Sequence, residues 1–284
     1  MLFPHASHKV GLGLRPAHFC HLEQKPLTHA TSLEGLTEHY LDSRGRPFEM
    51  LIQLRNQYPV ALHSMSLNLG SAHGVRMDFL RKLAKLAEQV EPFLISDHLC
   101  WTGTPTHHLH NLLPLPYTAE TLDIMSANID LAQSYLRRPL ALENISSYLV
   151  SEDNELKETE FIDELCRRTG CTILLDLNSL YINSVNHGFS PLQYLNELNF
   201  SYVSQVHLGG WSIEDSLLID SRAEAVTKEL WSLFAAVAPR IRHLPIIIER
   251  DRNIPTFPEL EQEVQKAVQI LEANYETQRN TELV

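Results

Sequence analysis

Short apolar runs that end on one polar side chain recur along the chain. Six of them end on a His, Asp or Glu, at intervals of about 30–40 residues, which is the spacing of successive strand–helix units in a barrel. The side chains at these ends are His63, His98, Glu143, Asp176, His207 and Glu249. Because the runs are nearly continuous rather than alternating, they are typical of parallel strands that are buried on both faces.

Eight strands are predicted when the remaining apolar runs are included. They span Lys9–Pro16, Leu33–His39, Pro59–Leu67, Pro92–Trp101, Pro139–Ile145, Cys171–Asn178, Tyr202–Gly210 and Pro245–Arg250. Amphipathic helical patterns lie between them, over Val75–Val90, Thr118–Tyr135, Glu158–Thr169, Ala223–Val237 and Pro258–Glu272. Ser190 followed by Pro191 predicts one more helix start. Eight strands alternating with helices favour an α/β TIM (β/α)8 barrel, and an open doubly wound sheet is the alternative.

The length of 284 residues suits one such barrel, so we expect a single domain over residues 1–284. The segment Glu276–Val284 is polar, which predicts a frayed tail. The longest stretch without periodicity, Thr102–Tyr117, follows the fourth predicted strand. It would therefore lie at the carboxyl-terminal rim of the barrel, as a lid or a substrate wall.

Composition narrows the expected partners and compartment. The chain carries 23 Lys and Arg against 35 Asp and Glu, a net charge of −12, which disfavours nucleic-acid binding because phosphate contacts need cationic side chains. No apolar run approaches the roughly 18 residues of a membrane span, and the amino terminus has no signal-peptide core. The four cysteines form no C-x-x-C pair, and a chain of this size needs no disulfides, so a cytoplasmic location is expected.

The side chains at the strand ends predict a metal site. Strand carboxyl ends converge at one rim of a TIM barrel, so three imidazoles and three carboxylates would meet there. Such ligands suit Fe, Mn, Zn or Co, and the lack of cysteine at these strand ends disfavours a closed structural zinc site. Any single histidine could instead be a hydrogen-bonded structural residue. Ligand type alone leaves an O2-activating oxidase and a metal-dependent hydrolase or isomerase both open.

Several longer strings resemble one known family. They are Ser96–Trp101, Leu112–Thr118, Leu142–Leu149, Leu174–Gly188, Gln205–Gly209 and Ile248–Pro255. These strings are similar to those of the multinuclear non-haem iron-dependent oxidative enzymes, which include the methanobactin-biosynthesis oxidases, and the resemblance runs from Gly11 to Pro255. It implies a TIM barrel of the xylose-isomerase-like kind that holds two or three irons. It also implies O2-dependent modification of a ribosomally made peptide, often at cysteine, with a separate partner protein that presents the peptide.

The resemblance implies ligand roles for the strand-end residues. The ligands of one iron correspond to His63, His98 and Glu143, with Glu143 as a bridge. The ligands of the second iron correspond to Asp176, His207 and Glu249. Both sets are intact in this chain, so the resemblance predicts two bound irons.

The chain departs from the family pattern at the third iron. Asp220 corresponds to the Asp of an Asp-x-His pair, but Arg222 stands where the family has His, and a guanidinium is a very poor metal ligand because it stays protonated. Arg222 could supply positive charge at the third metal's position, bind a substrate carboxylate, or pair with Asp220 or Glu224 at a helix start. Two further family positions are changed, to Trp211 and to His39.

Candidates for roles other than metal binding lie in the same strings. We predict Asn144, Asn178 and His187 as catalytic residues because their strings would line the pocket, together with Asn183, while Arg15 could bind substrate at the end of the first strand. Each could instead hydrogen-bond within a loop. Three functions stay open: the di-iron oxidase that the resemblance favours, a metal-dependent hydrolase or isomerase on the same barrel, and a catalytically silent binding protein, which the changed positions motivate.

Overall fold

Twelve short strands are present in the computed structural model, which describes residues 10–42, 44–104 and 107–282. In chain order they are β1 (Val10–Gly13), β2 (Ser32–Leu36), β3 (Val60–His63), β4 (Leu94–His98), β5 (Trp101–Gly103), β6 (His108–Leu113), β7 (Ala141–Glu143), β8 (Thr172–Asp176), β9 (Val203–Leu208), β10 (Ser212–Glu214), β11 (Leu217–Ile219) and β12 (Ile246–Ile248). Eight of them, β1–β4, β7–β9 and β12, form a closed barrel with every neighbouring pair parallel. This confirms the predicted TIM barrel and excludes an open sheet.

The barrel strands coincide with the eight predicted strand regions, and their register sets the level of the rim side chains. His98 lies opposite Glu143 in the pairing of β4 with β7, and Asp176 lies opposite His207 in the pairing of β8 with β9. Because the strands run parallel, their carboxyl ends reach the same edge of the barrel. The strand-end residues therefore meet at one rim, as predicted.

Nine α-helices surround the barrel within the described ranges. They are α1 (Phe19–Glu23), α2 (Arg46–Arg55), α3 (Met77–Val90), α4 (Ala119–Leu136), α5 (Glu158–Thr169), α6 (Leu177–His187), α7 (Pro191–Glu197), α8 (Lys228–Ile241) and α9 (Phe257–Glu282). Three-residue 3-10 helices lie at Pro16–His18, Thr37–His39 and Phe200–Tyr202. Within the same described ranges, no helix combines the length and the apolar character that crossing a lipid bilayer requires.

Helix starts follow the capping residues. Thr118 caps α4 and Ser190 caps α7, each by accepting a hydrogen bond from a backbone N–H three residues later. Helix α8 begins at Lys228, later than the predicted Ala223, because Thr227 accepts from the N–H of Leu230 and so fixes the start. Helix α9 continues to residue 282, so the segment predicted as a frayed tail is helical up to that point.

Two hairpins were not predicted. Strands β5 and β6 pair antiparallel after β4, and β10 pairs with β11 after β9. Both hairpins follow a barrel strand directly, so they lie at the carboxyl-terminal rim. The predicted rim loop Thr102–Tyr117 contains β6, while its positions 105 and 106 lie outside the described residues.

The apolar core lies between the barrel and the helices, and the barrel interior contains polar residues. Leu33 and Val206 belong to the apolar cluster, which includes helix residues such as Phe234. Successive strand residues point to opposite faces. Glu34, next to Leu33, and Gln205, next to Val206, therefore point into the barrel, and both are buried.

Gly11 in β1 has no room for a side chain. A Cβ there would lie 2.6 Å from the carbonyl oxygen of Ser32 and 2.8 Å from Ile247 Cδ1. Because a backbone oxygen in a barrel strand cannot move aside, we expect Gly11→Ala to lower the free energy of unfolding by about 1–3 kcal/mol. Urea denaturation measures this loss. Gly35→Ala in β2 is the matched control with a smaller expected loss, because its Cβ would meet the edge of the Tyr40 ring at 3.1 Å; equal losses would contradict the packing argument.

Candidate metal centre

Six acidic and imidazole side chains meet at the carboxyl-terminal end of the barrel in two groups of three. The first triad is His63 in β3, His98 in β4 and Glu143 in β7. The second triad is Glu34 in β2, His207 in β9 and Glu249, which directly follows β12. Within each triad, one possible ligand atom of each residue lies within 4.8 Å of the others. All six residues are buried, so each triad is a compact, water-poor set of metal-binding groups.

The first triad is built around one carboxylate oxygen. Glu143 Oε2 lies 3.0 Å from His63 Nε2 and 3.1 Å from His98 Nε2. The far side of each ring is also held, since His98 Nδ1 lies 3.1 Å from the carbonyl oxygen of Ser64 and His63 Nδ1 lies 2.8 Å from Ser96 Oγ. Because a carbonyl oxygen only accepts, Nδ1 of His98 carries a proton, and Nε2 is the nitrogen that faces Glu143. A metal ligand needs this orientation.

The second triad is centred on His207. Its Nε2 lies 2.8 Å from Glu34 Oε1, and its Nδ1 lies 3.2 Å from Glu249 Oε2. Gln205, two residues earlier on the same strand, donates a hydrogen bond to Glu34 Oε2. Glu34 thus has one oxygen fixed by an amide and the other directed at the imidazole, which is how supporting residues orient a metal-binding carboxylate.

Glu143 connects the two triads. Its Oε2 faces the first triad, while its Oε1 lies 3.2 Å from His207 Nδ1. Burial raises the pKa of Glu143, but the charges of His207, His98 and His63 outweigh it and hold the pKa well below the usual range. Burial lowers the pKa of His63, yet Glu143 more than offsets this and raises it to about 9. An ionised carboxylate that offers one oxygen to each triad can bridge two metal ions.

Two carboxylate oxygens of the triads have no hydrogen-bond donor. Glu143 Oε2 and Glu34 Oε1 are buried and accept no hydrogen bond, although imidazole nitrogens lie 3.0 and 2.8 Å away. Buried polar atoms without a partner cost free energy, so they point to a missing ligand. Donor atoms about 3.0 Å apart are spaced as neighbouring ligands at right angles around one ion with metal–ligand distances of about 2.1 Å. The donor atoms of the first triad therefore fit one metal ion. In the second triad a metal ion would take one nitrogen of His207, with one carboxylate oxygen each of Glu34 and Glu249 within 4.8 Å.

Asp176 lies outside both triads. Its Oδ2 pairs with Arg222 Nη2 and accepts a hydrogen bond from Ser179 Oγ, while its Oδ1 accepts from the backbone N–H of Asn178. Burial raises the pKa of Asp176 to about 7 in spite of the opposing charge of Arg222. The resemblance implies that Asp176 shares a metal with His207 and Glu249, whereas in the structure Glu34 is the carboxylate grouped with these two residues. The ligand role of Asp176 stays a prediction.

Glu34 is the member of the triads that sequence reasoning missed. It lies in the middle of β2, whereas Glu38 lies in the 3-10 helix beyond the strand. Glu38 Oε1 accepts a hydrogen bond from the backbone N–H of Met65. The signal that could have found Glu34 is a carboxylate between apolar strand residues, because a buried charge needs a partner or a metal.

The three predicted catalytic residues make structural hydrogen bonds. Asn144 joins β7 to β8 by donating to the carbonyl of Asp176 at 3.0 Å and accepting from its N–H at 2.9 Å. Asn178 Nδ2 donates to Asp220 Oδ1 at 2.8 Å. His187 is exposed at the end of α6, with its Nε2 2.7 Å from the carbonyl oxygen of Ser147. All three lie outside the triads, and their catalytic role stays a prediction.

The remaining candidates also lie outside the triads. Asp220 directly follows β11 and contacts Arg222 through its Oδ1 at 2.7 Å. Arg15, at the end of β1, is buried and pairs with Asp251. Asn183 Nδ2 donates to the carbonyl of Ile145 at 2.8 Å and so holds the loop after β7.

Solved structures share this architecture. An L-ribulose 3-epimerase superposes with a TM-score of 0.60 at 15% identity, covering 97% of each chain. Endonuclease IV from Thermus thermophilus superposes with a TM-score of 0.57 at 17% identity, covering 95% of this chain and 99% of its own. At these identities the likeness shows the fold alone. Fold and site define a xylose-isomerase-like TIM barrel with a buried centre of His and carboxylate side chains.

Sequence comparison identifies the family. The sequence model described as "RiPP precursor modification enzyme MbnB/TglH/ChrH" matches residues 9–272. UPF0276 proteins of Caulobacter vibrioides and Rhizorhabdus wittichii are 43% and 42% identical, over 88% and 90% of this chain and 89% and 92% of their own lengths. The chain belongs to this family of enzymes that modify precursors of ribosomally synthesised, post-translationally modified peptides, which confirms the resemblance found in the sequence.

Proposed function

We propose that this chain is an iron-dependent oxidase that uses O2 to modify a ribosomally synthesised peptide at cysteine. Membership of the family supports an enzyme that acts on a precursor peptide. The observation that carries the proposal is the position of Glu143, whose two oxygens face imidazoles of different triads. A carboxylate in this position suits a pair of ions that act together.

Each triad would hold one iron, with Glu143 between them. The first would be held by His63, His98 and Glu143, and the second by Glu34, His207 and Glu249. Iron held by imidazole and carboxylate ligands with open positions binds and activates O2. The absence of a thiolate from both triads is consistent with this choice, because thiolate sets favour closed zinc or iron–sulfur sites.

The protein's own residues keep this centre charged and oriented. The triad residues are at most 7% exposed, and His207 is fully buried. Low exposure strengthens the attraction between the carboxylates and a bound cation. Ser64 and Ser96 hold the rings of His98 and His63 from behind, so the ligands are already oriented before a metal arrives.

A peptide would reach the centre across the carboxyl-terminal rim. Ile213 in β10 is 70% exposed and Leu217 in β11 is 43% exposed, so the hairpin after β9 offers apolar surface there. A separate protein that presents the peptide, and a cytoplasmic location, are parts of this proposal. The net charge of −12 supports a substrate other than nucleic acid.

The proposal is tested by mixing iron-loaded protein with cysteine-bearing precursor peptides encoded near its gene. We expect O2 uptake and a changed peptide mass, and neither with a peptide in which the cysteine is replaced by serine. Zinc-loaded protein should be inactive, because zinc does not change oxidation state. Full activity with zinc or manganese, or modification of the peptide without O2, would instead indicate a hydrolase or isomerase and contradict the proposal.

A further inference from the structure

One buried guanidinium beside the two triads is surrounded by carboxylates. Arg222 is 7% exposed. Its Nε donates to Asp220 Oδ1 at 2.7 Å, its Nη1 donates to Glu249 Oε2 at 2.9 Å, and its Nη2 donates to Asp176 Oδ2. Nη2 also lies 3.8 Å from Glu143 Oε1, the oxygen that faces His207. The guanidinium therefore contacts the acidic groups of the candidate metal centre directly.

The backbone around Arg222 is arranged to hold this side chain. Its φ of 47° lies in the left-handed region, which is uncommon for a residue with a Cβ. Its N–H donates to the carbonyl of Gly210 at 3.1 Å, and its carbonyl accepts from the N–H of Asp251 at 3.0 Å. Gly209 leaves the space, because a Cβ there would lie 2.7 Å from Arg222 Cδ. A residue held in an uncommon conformation from both sides points to a function for its side chain.

The carboxylates around Arg222 have other groups that hold them in place. Asn178 Nδ2 donates to Asp220 Oδ1 at 2.8 Å, and the backbone N–H of Asn178 donates to Asp176 Oδ1 at 2.8 Å. Asn178 is fully buried, and its Oδ1 has no hydrogen-bond partner. Asn178 thus holds two of the carboxylates, while its own buried amide oxygen is left without a hydrogen-bond donor. Amide and carboxylate oxygens together are the ligand set that divalent cations bind.

A substrate anion is a poor occupant for the surroundings of Arg222. One guanidinium faces the carboxylates of Asp176, Asp220, Glu249 and Glu143. A further carboxylate would be repelled by this excess of negative charge at low exposure. These carboxylates therefore favour a cation, and the guanidinium of Arg222 is the cation that lies among them.

We propose that Arg222 is a built-in cation that occupies a third cation position beside the two triads, formed by Asp176, Asp220 and Glu249. The inference rests on the proposed two-metal centre, because Glu249 belongs to the second triad. The guanidinium places a permanent positive charge among these carboxylates, and so it closes the position to metal. Replacing it with a neutral ligand opens the position.

Arg222→His tests this by removing the fixed charge and adding a metal-binding imidazole. Equilibrium dialysis against Zn(II), which needs no reductant, followed by elemental analysis counts the bound metal. We expect one metal more per chain than in the wild type, while Arg222→Lys, which keeps a cation, binds the wild-type number. Equal metal content in Arg222→His and wild type would overturn the inference. The wild-type count is a separate result: fewer than two metals contradicts the two-metal centre, whereas the difference between the proteins tests Arg222.

Arg222→Gln covers the case in which the His variant does not fold. Gln keeps a long polar side chain and leaves the carboxylates without a cation, so the metal-free variant should unfold at a lower temperature than the wild type. Added Mn(II) should raise its unfolding midpoint by more than it raises the wild-type midpoint, because one extra site is filled. Equal shifts in the two proteins would overturn the inference as well.

Discussion

Replacing Glu143 with Gln is expected to release metal from both triads. The amide keeps the shape of the side chain but removes its charge, and an amide has one oxygen where the carboxylate offers Oε1 to His207 and Oε2 to His63 and His98. Loss of a residue that hydrogen-bonds a metal ligand typically weakens metal binding by about 10–100-fold, and loss of the bridging ligand itself should exceed this range. Iron per chain after desalting measures the effect, and peptide modification should be lost with it.

Glu158→Gln is the matched control for that substitution. Glu158 opens α5 and lies outside both triads. Burial raises the pKa of Glu158 to about 7, so a neutral amide is close to its state near neutral pH. This control should bind as much iron as the wild type. A Glu143→Gln protein that is folded and keeps both irons would show that Glu143 is not a bridge.

Glu34→Gln is expected to release one metal and leave the first triad occupied. Glu34 Oε1 lies 2.8 Å from His207 Nε2 without forming a hydrogen bond, so a metal ion bound at this nitrogen would have the Glu34 carboxylate beside it. His63 and His98 do not depend on Glu34 for their orientation, because Ser96 and Ser64 hold them. Elemental analysis should therefore give one metal per chain fewer than in the wild type, and O2-dependent modification should be abolished because it needs the pair.

Asp176→Asn is the comparison that decides between the two acidic residues. Asp176 Oδ2 is engaged by Arg222 and by Ser179 Oγ, so its replacement should cost stability while both metals stay bound. The family resemblance assigned Asp176, and not Glu34, to the second iron. If Asp176→Asn loses one metal and Glu34→Gln keeps both, Asp176 is the ligand of the second metal. That result would contradict the second triad, in which Glu34 is the ligand.

The barrel and most of the site could be predicted because parallel strands obey a simple rule. An apolar run followed by one polar residue fixes both the strand and its rim side chain, and this held for His63, His98, Glu143, His207 and Glu249. The rule applies only to residues at the ends of strands. It therefore does not identify a ligand that points into the barrel from the middle of a strand, where burial depends on the closure of the whole sheet.

Helix α6 and the two hairpins were not predicted, because their local sequence does not determine them. The α6 sequence is rich in Asn and Ser, which favour helix formation weakly. Its start depends on Asp176, whose side chain accepts from Asn178 N–H, and its end depends on Gly188 at a φ of 73°. Strands β10 and β11 contain only three residues each. Helix α6 stabilises this hairpin, because the side chain of Asn186 makes hydrogen bonds with both the carbonyl and the N–H of Leu218. Tertiary contacts, and not local pattern, decide these elements.

The position of Arg222 also needed the structure. From the sequence, three interpretations were open: a charge at a metal position, a substrate-binding group, or a partner of Asp220 or Glu224. The folded chain places its guanidinium against Asp176, Asp220 and Glu249, which come from different parts of the barrel. Pairing with Asp220 is therefore present, but it is one contact of several.

Mössbauer spectroscopy of the wild-type protein, purified without oxygen from cells grown with ample iron, would detect the pair of irons itself. We expect two irons per chain, one for each triad. After oxidation, their spectrum should show magnetic coupling, because Glu143 lies between them. Less than one iron per chain, or two irons without coupling, would contradict a pair of metals bridged by Glu143.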